Sequence, residues 1–374
     1  MYKVGNFFAM CGKGVVTALR YLQRKQILIP LIMLFALLVL NLIVNTKFFS
    51  ISSVTDINGN RVLEGAIINL LNNASEVAIL AIGMTFITAA CGGQDISIGA
   101  TMTIAASVIF ALISTGSLFL AFLICCVVSI AFALFNGVLV SYFKLLPMVA
   151  TLILFTSGRY IASWIGNEQT MVLPNSTKYF GNFFPGMPIP TPILITIVCV
   201  AIIFLVLKFS NLRLYTESVG INAKSAKLNG IRPERIKMIA FIIMGLCVAV
   251  AGFIKISRTG KGGYQSLASG IELDVILAVA IGGTMLGGGK FNLVGSIIGA
   301  YIIQLLTNTL YSIKVSPESL NVYKAVFVIA LVILGSPVVR EKFSTFFVKL
   351  KNSVKKRSKG NRDSNNIEIE KEGL

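Results

Sequence analysis

Histidine is missing from all 374 residues, which excludes His-dependent catalytic triads and zinc sites of the usual kind. Charge is nearly as scarce. Asp, Glu, Lys and Arg make up 13% of the chain and hydrophobic residues 55%, against roughly 25% charged in a soluble domain. That balance defines an integral membrane protein, all-α and polytopic. Acids are the rarer sign, 15 against 33 Lys and Arg, for a net charge of +18. An excess of this size would suit nucleic acid, but the basic residues gather at span ends, in one long loop and in the C-terminal tail, and no nucleic-acid module is visible. The six cysteines, Cys11, Cys91, Cys125, Cys126, Cys199 and Cys247, lack ligand-type spacing. They read as small hydrophobes, and no metal site is expected.

Long apolar runs account for most of the chain. About ten transmembrane helices are expected, near 27–45, 75–91, 96–114, 117–142, 147–165, 191–208, 236–256, 273–288, 293–311 and 320–337. They form a single transmembrane domain over 27–338. It is flanked by a basic cytoplasmic segment, 1–26, and a basic cytoplasmic tail, 339–374, which is polar, disordered and attracted to anionic membrane lipid. Placing both termini in the cytoplasm puts most Lys and Arg on that side. The polar stretch 46–74 is expected to include a short interfacial helix. The outer loop 166–190, rich in Gly, Pro and aromatics such as Phe180, Phe183 and Phe184, is either a docking surface or a rigid interfacial loop.

The stretch 81–101, AIGMTFITAACGGQDISIGAT, sets a lone acid, Asp95, between two apolar runs, where a carboxylate is costly without a partner, a wet cavity or a turn. Gly92 and Gly93 supply the turn. Asp95 and Ser97 then look like a helix start in which carboxylate or hydroxyl accepts from freed backbone N–H groups. Two readings stay open: Asp95 caps that helix, or it faces a transport path with Gln94.

The inner loop, within 209–235, holds a short helix with its own punctuation: Asn222 as N-cap, Gly230 at C′ and Pro233 soon after. So short a helix is marginal alone and must pack on something. Ala223, Ala226 and Gly230 give it one small-residue face that permits close approach to another surface. The glycine-rich run 282–289, with Gly283, Gly288 and Gly289, is not a Walker A motif, because Thr284 stands where the first glycine belongs and Phe291 follows Lys290. These glycines suit a tight turn between spans, and Gly295 with Gly299 adds a GxxxG face. The chain also echoes itself, since AIGMT at 81–85 recurs as AIGGT at 280–284, each followed by a glycine pair.

GMT with GGQDISIG, LPMVATLILFTSGRYIA at 146–162, the short inner helix, and ELDVILAVAIGGTMLGGGKFNLVGSIIGA occur in one order over about 64–330. The chain in this respect resembles the permease subunits of ribose- and galactofuranose-type sugar ABC importers, a bacterial binding-protein-dependent transport permease family. The resemblance implies a multi-pass protein of the bacterial plasma membrane, without enzymatic activity or cofactor of its own. Its implied partners are an ABC ATPase subunit that binds ATP, an extracytoplasmic sugar-binding protein and a second permease copy or paralogue. It further implies that 220–230, with Gly220, Asn222, Ala223, Ala226 and Gly230, is the coupling helix that docks on the ATPase. One position departs from the pattern: Gln94 stands where the family has an aliphatic residue. The solute expected is a monosaccharide, with a nucleoside or other small neutral solute as the alternative. From another class, an ion-coupled secondary transporter would use Asp95 and Glu76, joined by Glu272 and Asp274.

Overall fold

The structure is a computed structural model that describes residues 28–44, 48–55, 61–113, 118–168, 170–172, 187–316, 319–320, 322–326 and 329. The expected cytoplasmic flank 1–26, the tail 339–374, most of the tenth span and most of the outer loop, including Phe180, Phe183 and Phe184, lie outside the described residues. Residues to Leu320 belong to one compact unit; of the second, 322–326 are helical.

The unit is a helical bundle. Its helices are α1 (Leu28–Val44), α2 (Ala66–Cys91), α3 (Ile98–Ile113), α4 (Leu118–Ser141), α5 (Pro147–Ile165), α6 (Thr191–Phe209), α7 (Leu212–Ile221), α8 (Ala223–Leu228), α9 (Pro233–Thr259), α10 (Ile271–Ile281) and α11 (Leu293–Ser312). Six of these, α2, α4, α5, α6, α9 and α11, are long and apolar enough to cross a membrane; α1 and α3 are shorter apolar helices. The chain is therefore a mostly helical, multi-pass membrane protein. Two short antiparallel ladders interrupt the all-α pattern. One is β1 (Ser52–Thr55) on β2 (Arg61–Glu64), the other β3 (Met171–Val172) on β4 (Lys261–Gly262). The first replaces the interfacial helix expected in 46–74, because Leu63 N–H donates to the Pro188 carbonyl at 3.0 Å and keeps this chain extended.

Helix α2 is the centre. It is buried without a break from Ala74 to Ala90 and packs against α6, α7, α9, α10 and α11. It starts nine residues before the run expected from hydropathy, and Asn73 and Glu76 near this end find their partners on α9. Glu76 pairs with Lys255 at 3.2 Å and Arg258 at 2.9 Å, both on α9, and Arg258 also donates to Asn73 Oδ1 at 2.8 Å. At the periphery, α6 buries only Pro192 and Thr196.

Two helices cover only part of the bundle's depth. After α2, the chain climbs along α5: Gly93 lies against Pro147, Ile96 N–H donates to Thr151 Oγ1 at 3.1 Å, and Ala100 meets Gly158. That ascent, from position 147 to 158 of α5, covers about 16 Å at 1.5 Å per residue, so α3 begins partway through. Likewise α10, with 11 residues, spans about 16 Å, roughly half of a 30 Å hydrocarbon core. The strand-to-helix connection before α10 is held by Arg159, whose Nη1 donates to the carbonyls of Tyr264, Gln265 and Leu267 at 2.9–3.1 Å. Thr103 Oγ1 donates to the same Leu267 carbonyl. The N-termini of α3 and α10 consequently meet inside the bundle. A Cβ on Gly99 would lie 2.9 Å from the Ala268 carbonyl oxygen and would overlap the Glu272 carboxylate. The expected span 273–288 is thus helical only to Ile281, because the glycines that follow turn the chain instead of continuing the helix.

Candidate coupling site and broken helices

Asn222 has an extended backbone (φ −157°, ψ 101°) that ends α7 and starts α8. Its Oδ1 accepts from the N–H groups of Lys224 at 3.0 Å and Ser225 at 3.1 Å. Together these bonds satisfy two of the four amides that a helix start leaves without partners. At the other end, Gly230 is left-handed (φ +81°). Its N–H donates to the Lys227 carbonyl and that of Ile231 to the Ala226 carbonyl, the pair of bonds of a Schellman ending. A six-residue helix is thus closed at both ends.

The faces of α8 differ from the sequence expectation. Ala226 is 4% exposed, and the helix packs on α7 and α9. Of the small face, the chain's own packing takes up Ala226 alone: Ala223 is half-buried, and Gly230 is exposed, with nothing within 4 Å of an added Cβ. What points outward is apolar. Leu228 is 89% exposed and Ile221 74%, flanked by the exposed Lys224 and Lys227. Composition alone did not single out these two residues; an Ile and a Leu bracketing a capped polar helix was the available signal.

Gly220 does not share that outward face. It sits at a junction with two of the glycine turns. A Cβ on Gly220 would overlap the Ala89 carbonyl and the Gly289 amide, and these two groups are hydrogen-bonded to each other at 2.9 Å. Gly92 (φ +65°) ends α2 with its N–H on the Thr88 carbonyl, and its Cα packs against Gly288. Both Gly288 and Gly289 have positive φ (+92° and +82°), so the turn could not take ordinary side chains there without strain. Glu217 on α7 completes the contact, its Oε1 accepting from the Phe291 N–H at 3.3 Å, and Phe86 of α2 meets Phe291 edge-on at 4.8 Å. Sequence reading placed Gly220 with the docking helix and Gly92, Gly288 and Gly289 elsewhere. The fold brings all four together and adds Glu217. Gly283 (φ +84°) opens the same turn, which is braced by Asn292 Nδ2 donating to the Gly282 carbonyl at 2.8 Å. Thus the two echoed segments, α2 with α3 and α10 with α11, each break at a glycine turn, and the turns touch.

The acids fall into separate settings. Asp95 is 3% exposed, and its Oδ1 accepts from both the N–H (2.8 Å) and the Oγ (2.6 Å) of Ser97. Ser97 Oγ in turn accepts from Asn136 Nδ2 at 3.0 Å, and the Ser97 carbonyl accepts the Thr101 N–H that opens α3. Asp95 thus braces the helix start through Ser97. Gln94 beside it is 8% exposed. Glu76 is held by two cations, and Glu272, 6% exposed, begins α10. A groove of about 340 Å³ between α4 and α5 is lined by Phe132, Phe135, Ile153, Leu154 and Ile161, with Ser157 as its one polar side chain; it lacks the convergent polar groups of a solute site.

Broken helices within a bundle, glycine turns that meet at one end, and a capped surface helix beside them describe a multi-pass membrane protein of the transport class. Residues 66–335 match the family described as branched-chain amino acid transport system / permease component, and the chain belongs to that family. It is 38% identical over 276 residues to the galactofuranose transporter permease protein of Escherichia coli (strain K12), covering 73% of this chain and 80% of that one. The fructose import permease protein of Bifidobacterium longum (strain NCC 2705) is 32% identical over 74% of this chain and 78% of its own. The ribose import permease protein of Escherichia coli (strain K12) is 30% identical over 81% and 92%. No solved structure matches the chain.

Proposed function

We propose that this chain is the membrane-spanning subunit of an ATP-driven importer that passes a monosaccharide, galactofuranose- or ribose-like, from an extracytoplasmic binding protein to the cytoplasm. ATP is bound and hydrolysed by a separate ATPase subunit, and this chain holds no cofactor. The observation that carries the reading is that three relatives with 30–38% identity over most of their lengths are each named as permeases for a sugar. The absence of a clustered basic pocket in the described spans agrees with a neutral, hydroxyl-rich solute.

In this reading the chain lies in the bacterial plasma membrane with ten spans in a single domain, 27–338, and with both termini cytoplasmic. The bundle works as a pair with a second permease copy or paralogue, in contact with membrane lipid. The end carrying Gly92, α7, α8 and Gly289 is then cytoplasmic, and α8 docks on the ATPase through Leu228 and Ile221, whose apolar side chains are otherwise exposed to water. An ion-coupled mechanism that used Glu76 and Asp95 would need both carboxylates free, whereas Glu76 is held by Lys255 and Arg258 and Asp95 by Ser97; of the acids that reading names, Glu272 keeps a buried oxygen without a partner. The decisive test is a calorimetric ligand screen of the cognate binding protein followed by uptake in the reconstituted complex. A sugar that binds and is transported supports the reading; selective binding of an amino acid or a charged metabolite overturns the sugar assignment.

A further inference from the structure

Helix α8 is weakly attached to the bundle, with Ala226 as its one buried residue, yet the helix it continues from is locked in place. The last turn of α7 touches two separate glycine turns. Gly220 packs against the hydrogen bond that the Gly289 amide after α10 donates to the Ala89 carbonyl at the end of α2, and Ile221 lies against Gly289. One turn earlier, Glu217 accepts from the Phe291 amide. Neither Gly220 nor Gly289 has room for a methyl group, and close-packed contacts pass on a displacement instead of absorbing it. The two turns lead to α3 and to α10, whose N-termini meet deeper in the bundle at Gly99 and Glu272.

We propose that the junction of Gly220 with Ala89, Gly92, Gly288 and Gly289 is where motion of α8 enters the bundle, and that Gly220 is its positioning residue, driving both broken segments from one point. The inference rests on α8 being the ATPase-docking helix and adds which residues receive its motion. Gly220 needs no unusual backbone, since it lies within α7. Its requirement is space. Gly220→Ala therefore adds a Cβ at the junction without asking α7 to change conformation.

The test uses the full complex in liposomes, with ATPase subunit and binding protein present. Gly220→Ala is expected to retain the ATPase subunit and to hydrolyse ATP, while solute moved per ATP falls about tenfold, within the range of allosteric coupling factors. A wild-type ratio of solute to ATP in that variant overturns the proposal. Should Gly220→Ala not assemble, spin labels at Tyr215→Cys and Met285→Cys, in a chain without its native cysteines, decide the matter. A Tyr215 to Met285 distance that stays constant between nucleotide-free and ATP-bound states supports a junction that moves as one body, and a distance that changes overturns it. Leu228→Asp separates the two layers of argument. If it keeps its ATPase subunit, the docking reading falls and this proposal with it. If it loses the subunit while Gly220→Ala transports at the wild-type ratio, only the junction role falls.

Discussion

Arg258 Nη2 lies 2.9 Å from Glu76 Oε1, and the same guanidinium reaches Asn73 Oδ1 through Nη1 at 2.8 Å. One α9 side chain thereby holds two polar residues of the most enclosed helix in the bundle. Removing the carboxylate leaves Lys255 and Arg258 without their counter-charge. Glu76→Ala is expected to destabilise the permease by about 3–5 kcal/mol, the scale of breaking a buried pair from one side. Thermal unfolding in detergent measures this, and uptake by the wild-type protein should be indifferent to a collapsed proton gradient.

Asp95 works through the shape of one acceptor oxygen. An asparagine keeps an oxygen where Ser97 N–H and Oγ point, so Asp95→Asn should hold uptake near the wild-type rate. Asp95→Ala leaves those donors buried without an acceptor and should cost about 1–3 kcal/mol. Uptake that vanishes in Asp95→Asn, with the protein still folded, would refute the bracing role.

Helix α8 offers a paired comparison. Leu228 is 89% exposed, so Leu228→Ala should change permease stability by less than about 0.5 kcal/mol. In an ATPase cleft, the same side chain is worth about 1.5–3 kcal/mol, so affinity for the ATPase subunit should drop roughly 10- to 100-fold. Ala226→Arg should act differently, unfolding or misplacing α8 before any docking is measured, since Ala226 is buried in its own chain. Measured subunit affinities that are equal for wild type and Leu228→Ala would remove Leu228 from the docking face.

Orientation is tested by thiol labelling of intact cells. Val54→Cys on the β1–β2 hairpin should react with an impermeant reagent from outside, and Leu228→Cys should react only after permeabilisation. Both positions are exposed. Reaction of Leu228→Cys in intact cells would invert the topology.

Much of this arrangement was legible in the sequence where one residue type has one structural use. Asn222 and Gly230 cap α8 because an amide oxygen suits a helix start and a left-handed residue suits its end, and both are where that reasoning puts them. Gly92 likewise terminates α2. Hydropathy failed where polar groups find partners across the fold: Asn72, Asn73 and Glu76 looked like the rim of a span, yet lie inside a continuous helix because α9 supplies Arg258 and Lys255. The reverse error occurred after Ile281, where hydropathy carried the expected span on to 288, whereas the glycine run itself suited a tight turn and does turn, at Gly283, Gly288 and Gly289. Position on a helix face was also hidden. The Ala223, Ala226 and Gly230 stripe looks fit for a foreign surface, and only the packing of α8 on α7 and α9 shows that its own chain takes Ala226. Gly220 and Gly289 meet across a long sequence separation, a distance no local pattern reports.

The pairing of Asn73 with Arg258 spans 185 positions, which gives it a history as well as a geometry. Translation at 5–20 residues per second puts roughly 10–40 s between the emergence of the first partner and the second. For that interval α2 carries a carboxylate and neighbouring amides with no α9 to receive them. The nascent helix must either wait within the insertion machinery or rest near the headgroups, where water substitutes for the missing cations. Ribosome-bound chains truncated before Arg258 should therefore crosslink through α2 to the insertion machinery, and chains extended past it should release.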